Sequence, residues 1–243
     1  MKGVRVSDSS LDTPTFREPS GNSISVIVCS CTLERWELLR ESLQSLVVQE
    51  LNPTEVILCV DHNEPMFERC ENELVPLFTE APWTFRVVQN KYETRLGGAR
   101  TTAVEVARGD IVAFLDDDAR AAPSWLLRLT EVYEDSKIVA VGGAPLADYE
   151  IPRPKWIPLE CNWVFGCAYR GLPERRSPVG HLIGANMSIR RAALAQCQCR
   201  ARGSRPRSDN YDVHYLNLYL PPGVRRPATA PAAPRIIAVI NTM

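Results

Sequence analysis

The most constraining stretch of the chain is an apolar run of strand length that ends in consecutive carboxylates. Residues 111–115 read Ile-Val-Ala-Phe-Leu, and Asp116, Asp117 and Asp118 follow directly. Like charges side by side repel, so such acids at the end of a buried strand need a bound cation or nearby arginine side chains to stay ionised. The pattern predicts a buried strand with a divalent-metal site at its carboxyl end.

Alternation of side chains along a strand refines this prediction. Asp116 and Asp118 are expected to point the same way, while Asp117 points elsewhere. Two carboxylates suit Mg²⁺ or Mn²⁺, because these hard cations take one or two carboxylates and complete their coordination with water and substrate phosphates. Ligands of open α/β sheets bind off the carboxyl ends of strands, where these acids lie. The alternative is an acidic turn that caps the next helix.

Strand and helix patterns alternate over most of the chain, which is typical of βαβ units and a mostly parallel sheet flanked by helices. Asp61 follows the second strand pattern, so a second strand also ends in a carboxylate; a turn-capping aspartate is the alternative there. The predicted strands cover residues 24–29, 55–60, 84–88, 111–115 and 137–143, and helices are predicted over 33–50, from 66, over 99–108 and over 124–133.

Composition divides the chain into three predicted segments. Residues 1–22 are polar and are predicted to form a flexible leader. Residues 23–194 carry the α/β pattern, although residues 144–180 are irregular, rich in Pro and aromatic residues, and suited to form a wall for an acceptor. From Arg190 onward the chain holds nine Arg and two Asp but neither Lys nor Glu. Residues 195–243 are therefore predicted to form a weakly structured Arg/Pro-rich tail.

Charge and cysteine usage limit the function classes. The formal net charge is −1, and the basic tail lacks a recognition module, so no nucleic-acid partner is expected. Neither a signal peptide nor an apolar run long enough to span a bilayer is evident. We therefore expect a cytoplasmic protein, with a peripheral position at the inner face of the membrane left open. The eight Cys are expected to be free thiols, because their spacing gives no strong zinc signature.

Taken together, these motifs resemble the family 2 glycosyltransferases, which have the Rossmann-like GT-A fold of nucleotide-diphospho-sugar transferases. The resemblance covers residues 23–194 and rests on Val26-Ile27-Val28, Val60-Asp61, Gly98-Ala99-Arg100, Phe114-Leu115-Asp116-Asp117-Asp118-Ala119, and Gly184-Ala185-Asn186-Met187-Ser188 followed by Arg190.

The resemblance implies a metal-dependent enzyme that moves a sugar, with inversion, from a nucleotide-diphospho-sugar to an acceptor hydroxyl. A UDP-sugar is the favoured donor, the acceptor is unknown, and Mg²⁺ or Mn²⁺ is the implied cofactor. The implied roles are donor binding by Asp61, Arg100, Asp116 and Asp117, metal binding by Asp116 and Asp118, and a position near the acceptor for Gly184, Ala185 and Asn186.

The sequence departs from the family pattern in two places. Thr101 stands where many members carry Asn. The family also places a catalytic carboxylate in an acidic pair well beyond the Asn-Met segment, and this chain has no Glu there, while Asp209 and Asp212 lie in unlike surroundings. We therefore predict an atypical or truncated C-terminus, leave the catalytic base unassigned, and keep a non-catalytic nucleotide-sugar-binding protein as the alternative.

Other enzymes with acids at strand ends fit the sequence less well. In a haloacid-dehalogenase-like phosphatase, an Asp-x-Asp motif lies near the first strand, and Thr or Val follows shortly after its second Asp. Here at least three predicted strands precede the motif, and Ala119 and Arg120 follow it. The chain lacks the P-loop motif of nucleotidases. It also lacks the Gly-rich loop with Arg that follows the first strand of sugar-nucleotide pyrophosphorylases.

Overall fold

The structure is a computed structural model that describes residues 22–93, 95–149, 158–173 and 175–194, and the backbone of residues 235–238. Nearly all of the predicted leader and most of the predicted Arg/Pro-rich tail lie outside the described residues. Residues 235–238 are the exception, because they form a strand that the sequence pattern did not predict.

The described strands form one mixed sheet. They are β1 (Ile24–Ser30), β2 (Glu55–Val60), β3 (Thr84–Gln89), β4 (Ile111–Asp116), β5 (Ile138–Gly142), β6 (Ser177–Pro178), β7 (Asn186–Arg190) and β8 (Arg235–Ala238). Their order across the sheet is β3-β2-β1-β4-β7-β5-β8-β6. β7 is antiparallel to β4 and β5, and β6 is antiparallel to β8, whereas the other neighbouring pairs are parallel. The predicted α/β class with a mostly parallel sheet is confirmed.

Helices connect the strands. They are α1 (Trp36–Ser45), α2 (Glu64–Arg69), α3 (Val75–Leu77), α4 (Leu96–Val106) and α5 (Trp125–Thr130), with 3₁₀ turns at Leu33–Arg35, Glu131–Glu134 and Leu159–Phe165 and a π-helical turn at Cys70–Leu74. Two of these segments have a side-chain N-cap. Thr32 caps the 3₁₀ turn Leu33–Arg35 by accepting a hydrogen bond from the Glu34 N–H, and Asn63 caps α2 by accepting one from the Met66 N–H.

The first helix is shorter than the sequence predicts. α1 ends at Ser45, whereas the apolar periodicity predicts a helix to Glu50. Beyond Ser45 the chain tightens into i to i−3 hydrogen bonds at Leu46 and Val47, and the Glu50 N–H donates to the Pro123 carbonyl oxygen, 2.8 Å away. Tertiary hydrogen bonding therefore ends the helix before the apolar pattern does.

Both faces of the sheet are buried. Val26 and Val28 of β1 face the apolar layer that contains Trp36 of α1 and Trp125 of α5. The alternate residue Ile27 faces a second layer, in which α4 packs close to the sheet through small residues such as Ala103. This alternation explains why the central strands read as continuous apolar runs.

A buried carboxylate holds the amino-terminal edge of the sheet. Glu55, at the start of β2, accepts hydrogen bonds from the Ser25 hydroxyl and the Arg108 N–H, both at 2.6 Å, and from Arg86 Nη2 at 2.5 Å. Burial alone would raise the pKa of Glu55, but these three donors outweigh it, so the pKa lies below its usual value. Glu55 is therefore ionised and structural.

Candidate functional site

Three neighbouring parallel strands end at the same edge of the sheet, and their ends form a cleft of about 180 Å³. β1, β2 and β4 each contribute the residues at their carboxyl ends, and the first turn of α4 closes one side. The cleft is lined by Cys29, Ser30, Cys31, Arg35, Asp61, Leu96, Ala99, Asp116, Asp117 and Asp118. The acids that the sequence analysis selected from two separate strands thus lie in one cleft.

Arg100 of α4 is the buried cation of this site. It is only 2% exposed, and its Nη2 donates to Asp116 Oδ1 at 2.8 Å and to the Gly184 carbonyl oxygen at 3.1 Å. Its guanidinium group also lies 5.2 Å from the ring centroid of Phe114. The opposite nitrogen, Nη1, is buried without a hydrogen-bond partner among the described residues. Arg100 therefore neutralises Asp116 and joins β4 to the segment before β7.

A second arginine, which the sequence analysis did not select, pairs with the other two acids. Arg35 Nη2 lies 3.1 Å from Asp117 Oδ2, and Arg35 Nη1 lies 3.4 Å from Asp118 Oδ2. Asp117 also accepts a hydrogen bond from the Ser30 hydroxyl. Burial raises the pKa of Asp117; Ser30 and Arg35 lower it only in part, and the neighbouring acids raise it further. Asp117 thus ties β4 to β1.

The predicted alternation of the three acids does not extend past the strand. β4 ends at Asp116, and the chain then turns, with the Ala119 N–H donating to the Asp116 carbonyl oxygen at 3.1 Å. Asp117 consequently lines the same cleft as Asp116 and Asp118 instead of pointing elsewhere. The three side chains differ in exposure, since Asp117 is 5% exposed and Asp118 is 49% exposed.

Asp61 enters the cleft from the end of β2. Its Oδ1 accepts a hydrogen bond from Asn90 Nδ2 at 2.6 Å, and the pair is buried. Asn90 follows β3 directly, and its N–H donates to the Val60 carbonyl oxygen at 2.9 Å. The end of β3 therefore supports the acid that the end of β2 presents.

The three residues expected near an acceptor do not line this cleft. Gly184 contacts the site through its carbonyl oxygen, which accepts from Arg100. Asn186 is buried, and its Oδ1 accepts a hydrogen bond from Trp125 Nε1 at 2.9 Å, so its side chain joins β7 to α5. Ala185 lies in the turn between them.

A second cavity, of about 430 Å³, lies in the irregular region. Burial and, to a smaller extent, the charge of Asp118 raise the pKa of Cys167 in its wall. Ile183, also in its wall, directly precedes Gly184, whose carbonyl oxygen accepts a hydrogen bond from Arg100. Its aromatic and apolar lining consists of Trp163, Gly166, Cys167, Tyr169, His181 and Ile183.

The charges in the acidic cleft do not balance. Four carboxylates, Asp61 and Asp116 to Asp118, face two guanidinium groups, Arg35 and Arg100, which leaves a formal charge of −2 when all are ionised. Among the described residues, no group of three His, Cys, Asp or Glu side chains could hold a metal ion by itself. Carboxylate oxygens with a net charge of −2 nevertheless fit Mg²⁺ or Mn²⁺, provided that a ligand such as a diphosphate supplies further oxygens.

Comparison with known proteins identifies the family. The profile of the family described as Glycosyl transferase family 2 matches residues 25–197. This chain belongs to glycosyl transferase family 2. The predicted resemblance is confirmed, and with it the expectation of a glycosyltransferase-like enzyme.

Two curated relatives extend the comparison. A glucosyl-dolichyl phosphate glucuronosyltransferase from Haloferax volcanii is 34% identical over 170 residues, which is 69% of this chain and 52% of that protein. The succinoglycan biosynthesis protein ExoM from Rhizobium meliloti is 31% identical over 129 residues, 52% of this chain and 40% of that protein. The chain thus spans about half the length of the curated relatives it matches.

Two solved structures share the fold. The mannosyltransferase PcManGT from Pyrobaculum calidifontis, in complex with GDP-Man and Mn²⁺, aligns with a TM-score of 0.51 at 18% identity, over 76% of this chain and 48% of that one. TarS from S. aureus in complex with UDP-GlcNAc aligns with a TM-score of 0.50 at 17% identity, over 72% and 47%. At these identities the likeness establishes the GT-A fold.

Two further expectations concern membranes and thiols. No helix in the described part of the chain is both long and apolar enough to cross a bilayer. The described cysteines are free: Cys29, Cys31, Cys59, Cys70, Cys161 and Cys167. A hydrogen bond with Cys59 and burial raise the pKa of Cys29 well above its usual value, so this thiol in the cleft wall is protonated.

Proposed function

We propose that this glycosyltransferase binds a nucleotide-diphospho-sugar, with a UDP-sugar favoured, in the acidic cleft and transfers the sugar with inversion to an acceptor hydroxyl. The observation that carries the proposal is the meeting of Asp61, Asp116, Asp118 and Arg100 at one sheet edge. These residues come from β2, β4 and α4, and only the fold brings them together.

Asp116 and Asp118 would hold a Mg²⁺ or Mn²⁺ ion, and Asp117, which accepts a hydrogen bond from Ser30 of β1, would support them. When bound, the metal supplies Lewis-acid stabilisation of the charge that develops on the leaving diphosphate. The unpartnered Nη1 of buried Arg100 supports binding of an anionic ligand, because an orphaned buried donor is costly until an oxygen accepts its hydrogen bond. Asp61 would accept a hydrogen bond from the nucleotide base.

The aromatic cavity beside Gly184 suits an acceptor. Rings such as Trp163 and Tyr169 offer apolar faces, and Ile183 of the cavity wall directly precedes Gly184, whose carbonyl oxygen accepts a hydrogen bond from Arg100. The name of the Haloferax relative makes a dolichyl-phosphate-linked sugar the first acceptor class to test. Such an acceptor would bring the enzyme to the inner face of a membrane.

Direct displacement with inversion requires a general base at the acceptor hydroxyl. The segment beyond Arg190 contains no Glu. This observation favours a second candidate function, a nucleotide-sugar-binding protein that does not turn over. The two candidates share the donor site and differ only in the outcome of catalysis.

Titration calorimetry with UDP-, GDP- and TDP-sugars, with and without Mn²⁺, followed by product analysis, tests both candidates. Mn²⁺-dependent binding with sugar transfer supports the enzyme, and the same binding without transfer supports the binding protein. If none of these donors binds at any Mn²⁺ concentration, the acidic cleft is not a donor site and both candidates are wrong.

A further inference from the structure

Asn90 has every hydrogen-bonding position of its side chain occupied. Its Nδ2 donates to Asp61 Oδ1 at 2.6 Å and to the Glu93 carbonyl oxygen at 3.2 Å. Its Oδ1 accepts from the Tyr92 N–H and from the Thr102 hydroxyl, both at 3.0 Å. Asn90 is 5% exposed, so water does not replace these partners. Such a residue has one orientation available to it.

The network also fixes which end of the Asn90 amide faces Asp61. The Tyr92 N–H can only donate, so the oxygen of the amide must face it, and the NH₂ group must face the carboxylate. A carboxylate only accepts hydrogen bonds when ionised, which suits this direction. Asp61 is thereby held through one oxygen, and its Oδ2 has no hydrogen-bond partner among the described residues.

The start of α4 is shaped around the Asn90 amide. A methyl group at Gly98 would lie 2.6 Å from the Glu93 carbonyl oxygen and 3.0 Å from Asn90 Nδ2, so any side chain there displaces the network. Thr102, one turn further along α4, donates to Asn90 Oδ1 and accepts from the Lys91 N–H. The helix that carries Arg100 to Asp116 therefore also fixes Asn90 against Asp61.

We propose that Asn90 is a positioning residue that sets the affinity for the nucleotide base by orienting Asp61. This inference rests on the proposed function, in which Asp61 Oδ2 accepts a hydrogen bond from the base. The base contributes binding only while the carboxylate is held at the orientation that Asn90 imposes. A ligand with a diphosphate and no base does not depend on Asn90.

The test compares UDP with inorganic pyrophosphate, each with Mn²⁺, by titration calorimetry on the full chain. We expect Asn90→Leu to weaken UDP binding about tenfold, the usual effect of losing one hydrogen bond to a charged group. Pyrophosphate binding should not change. In an Asp61→Ala background the same substitution should not weaken UDP binding any further, because Asn90 acts through Asp61.

A milder variant covers the case in which Asn90→Leu does not fold. Thr102→Val keeps the shape of the side chain and removes the hydroxyl that donates to Asn90 Oδ1 and accepts from the Lys91 N–H. We expect about threefold weaker UDP binding, again absent in the Asp61→Ala background. Equal losses for UDP and pyrophosphate, or a loss that persists without Asp61, would overturn the inference while leaving the donor site intact. Failure of the unmodified protein to bind either ligand would overturn the proposed function and this inference with it.

Discussion

The acidic cleft predicts a large and specific effect of Asp118→Asn on metal binding. Asp118 is the most exposed of the three adjacent acids, at 49%, and its recorded partner is Arg35 at 3.4 Å. The substitution changes the formal charge of the cleft from −2 to −1 while keeping the shape of the side chain. It leaves the contacts of Asp117 with Ser30 and Arg35 in place.

The expected loss of Mn²⁺ affinity follows from the charge that the substitution removes. One unit charge near a protein surface interacts with another at 4 Å by about 4 kcal/mol, and therefore with a divalent ion by about 8 kcal/mol. Half exposure, screening by salt and the amide oxygen that replaces the carboxylate as a ligand reduce the expected loss to about 2–3 kcal/mol. That corresponds to roughly 30- to 150-fold weaker binding of Mn²⁺. The measurement is calorimetric titration of Mn²⁺ into the protein in the presence of saturating UDP.

Asp110→Asn is the matched control. Asp110 precedes the same strand at its other end, where it accepts hydrogen bonds from the N–H and hydroxyl of Ser23. It carries the same charge but lies at the opposite edge of the sheet, so its removal should leave Mn²⁺ affinity unchanged. If Asp118→Asn binds Mn²⁺ within threefold of the unmodified protein, or if the control loses as much, the acids do not form the metal site.

Two further substitutions test the supporting structure. Arg100→Met leaves Asp116 without its cation; because the Asp116 side chain is about a third exposed, we expect a loss of roughly 2–3 kcal/mol in the free energy of unfolding. Adding Asp116→Asn should recover part of that loss in urea denaturation, and a purely additive double variant would show that the pair is not coupled. Glu55→Gln should cost roughly 1–3 kcal/mol at pH 7, because Arg86 loses its charged partner. Since the pKa of Glu55 is lowered by folding, its contribution is present above the unfolded-state pKa and is lost as the pH falls through the folded-state value. The difference between variant and parent should therefore shrink as unfolding is measured at progressively lower pH, and a constant difference would contradict this assignment.

Local patterns predicted much of the sheet because each central strand is buried on both faces. The runs around Val26, Ile57 and Phe114 are mostly apolar, and their strands lie within a residue or two of the predicted bounds. The position of β7 could not be predicted in this way. Its insertion between β4 and β5, antiparallel to both, depends on where the irregular segment returns to the sheet, and periodicity carries no such information.

In the candidate site, too, the residues with a local sequence signal could be predicted, and those that depend on distant contacts could not. Asp61 and Asp116 attracted attention because a carboxylate directly after an apolar run is unusual, and the fold brings them to one cleft. Arg35 carries no comparable signal, because an arginine in a polar turn after β1 is ordinary in sequence. Asn90 is equally inconspicuous as the residue after β3. Their importance comes from partners that are distant in the chain.

The way in which the chain enters β7 determines which part of the molecule can be exchanged. Gly143 and Asn186, which flank the irregular segment, are joined by a backbone hydrogen bond of 3.0 Å, so the two ends of this segment lie side by side. Closing a longer loop between fixed ends adds only about 0.6 kcal/mol for each doubling of its length. Under the proposed function, replacing residues 144–185 with the corresponding segment of another protein, with β6 and the carbonyl contact of residue 184 to Arg100 kept, should change the acceptor while the strands that end at Asp61 and Asp116 keep their places in the sheet.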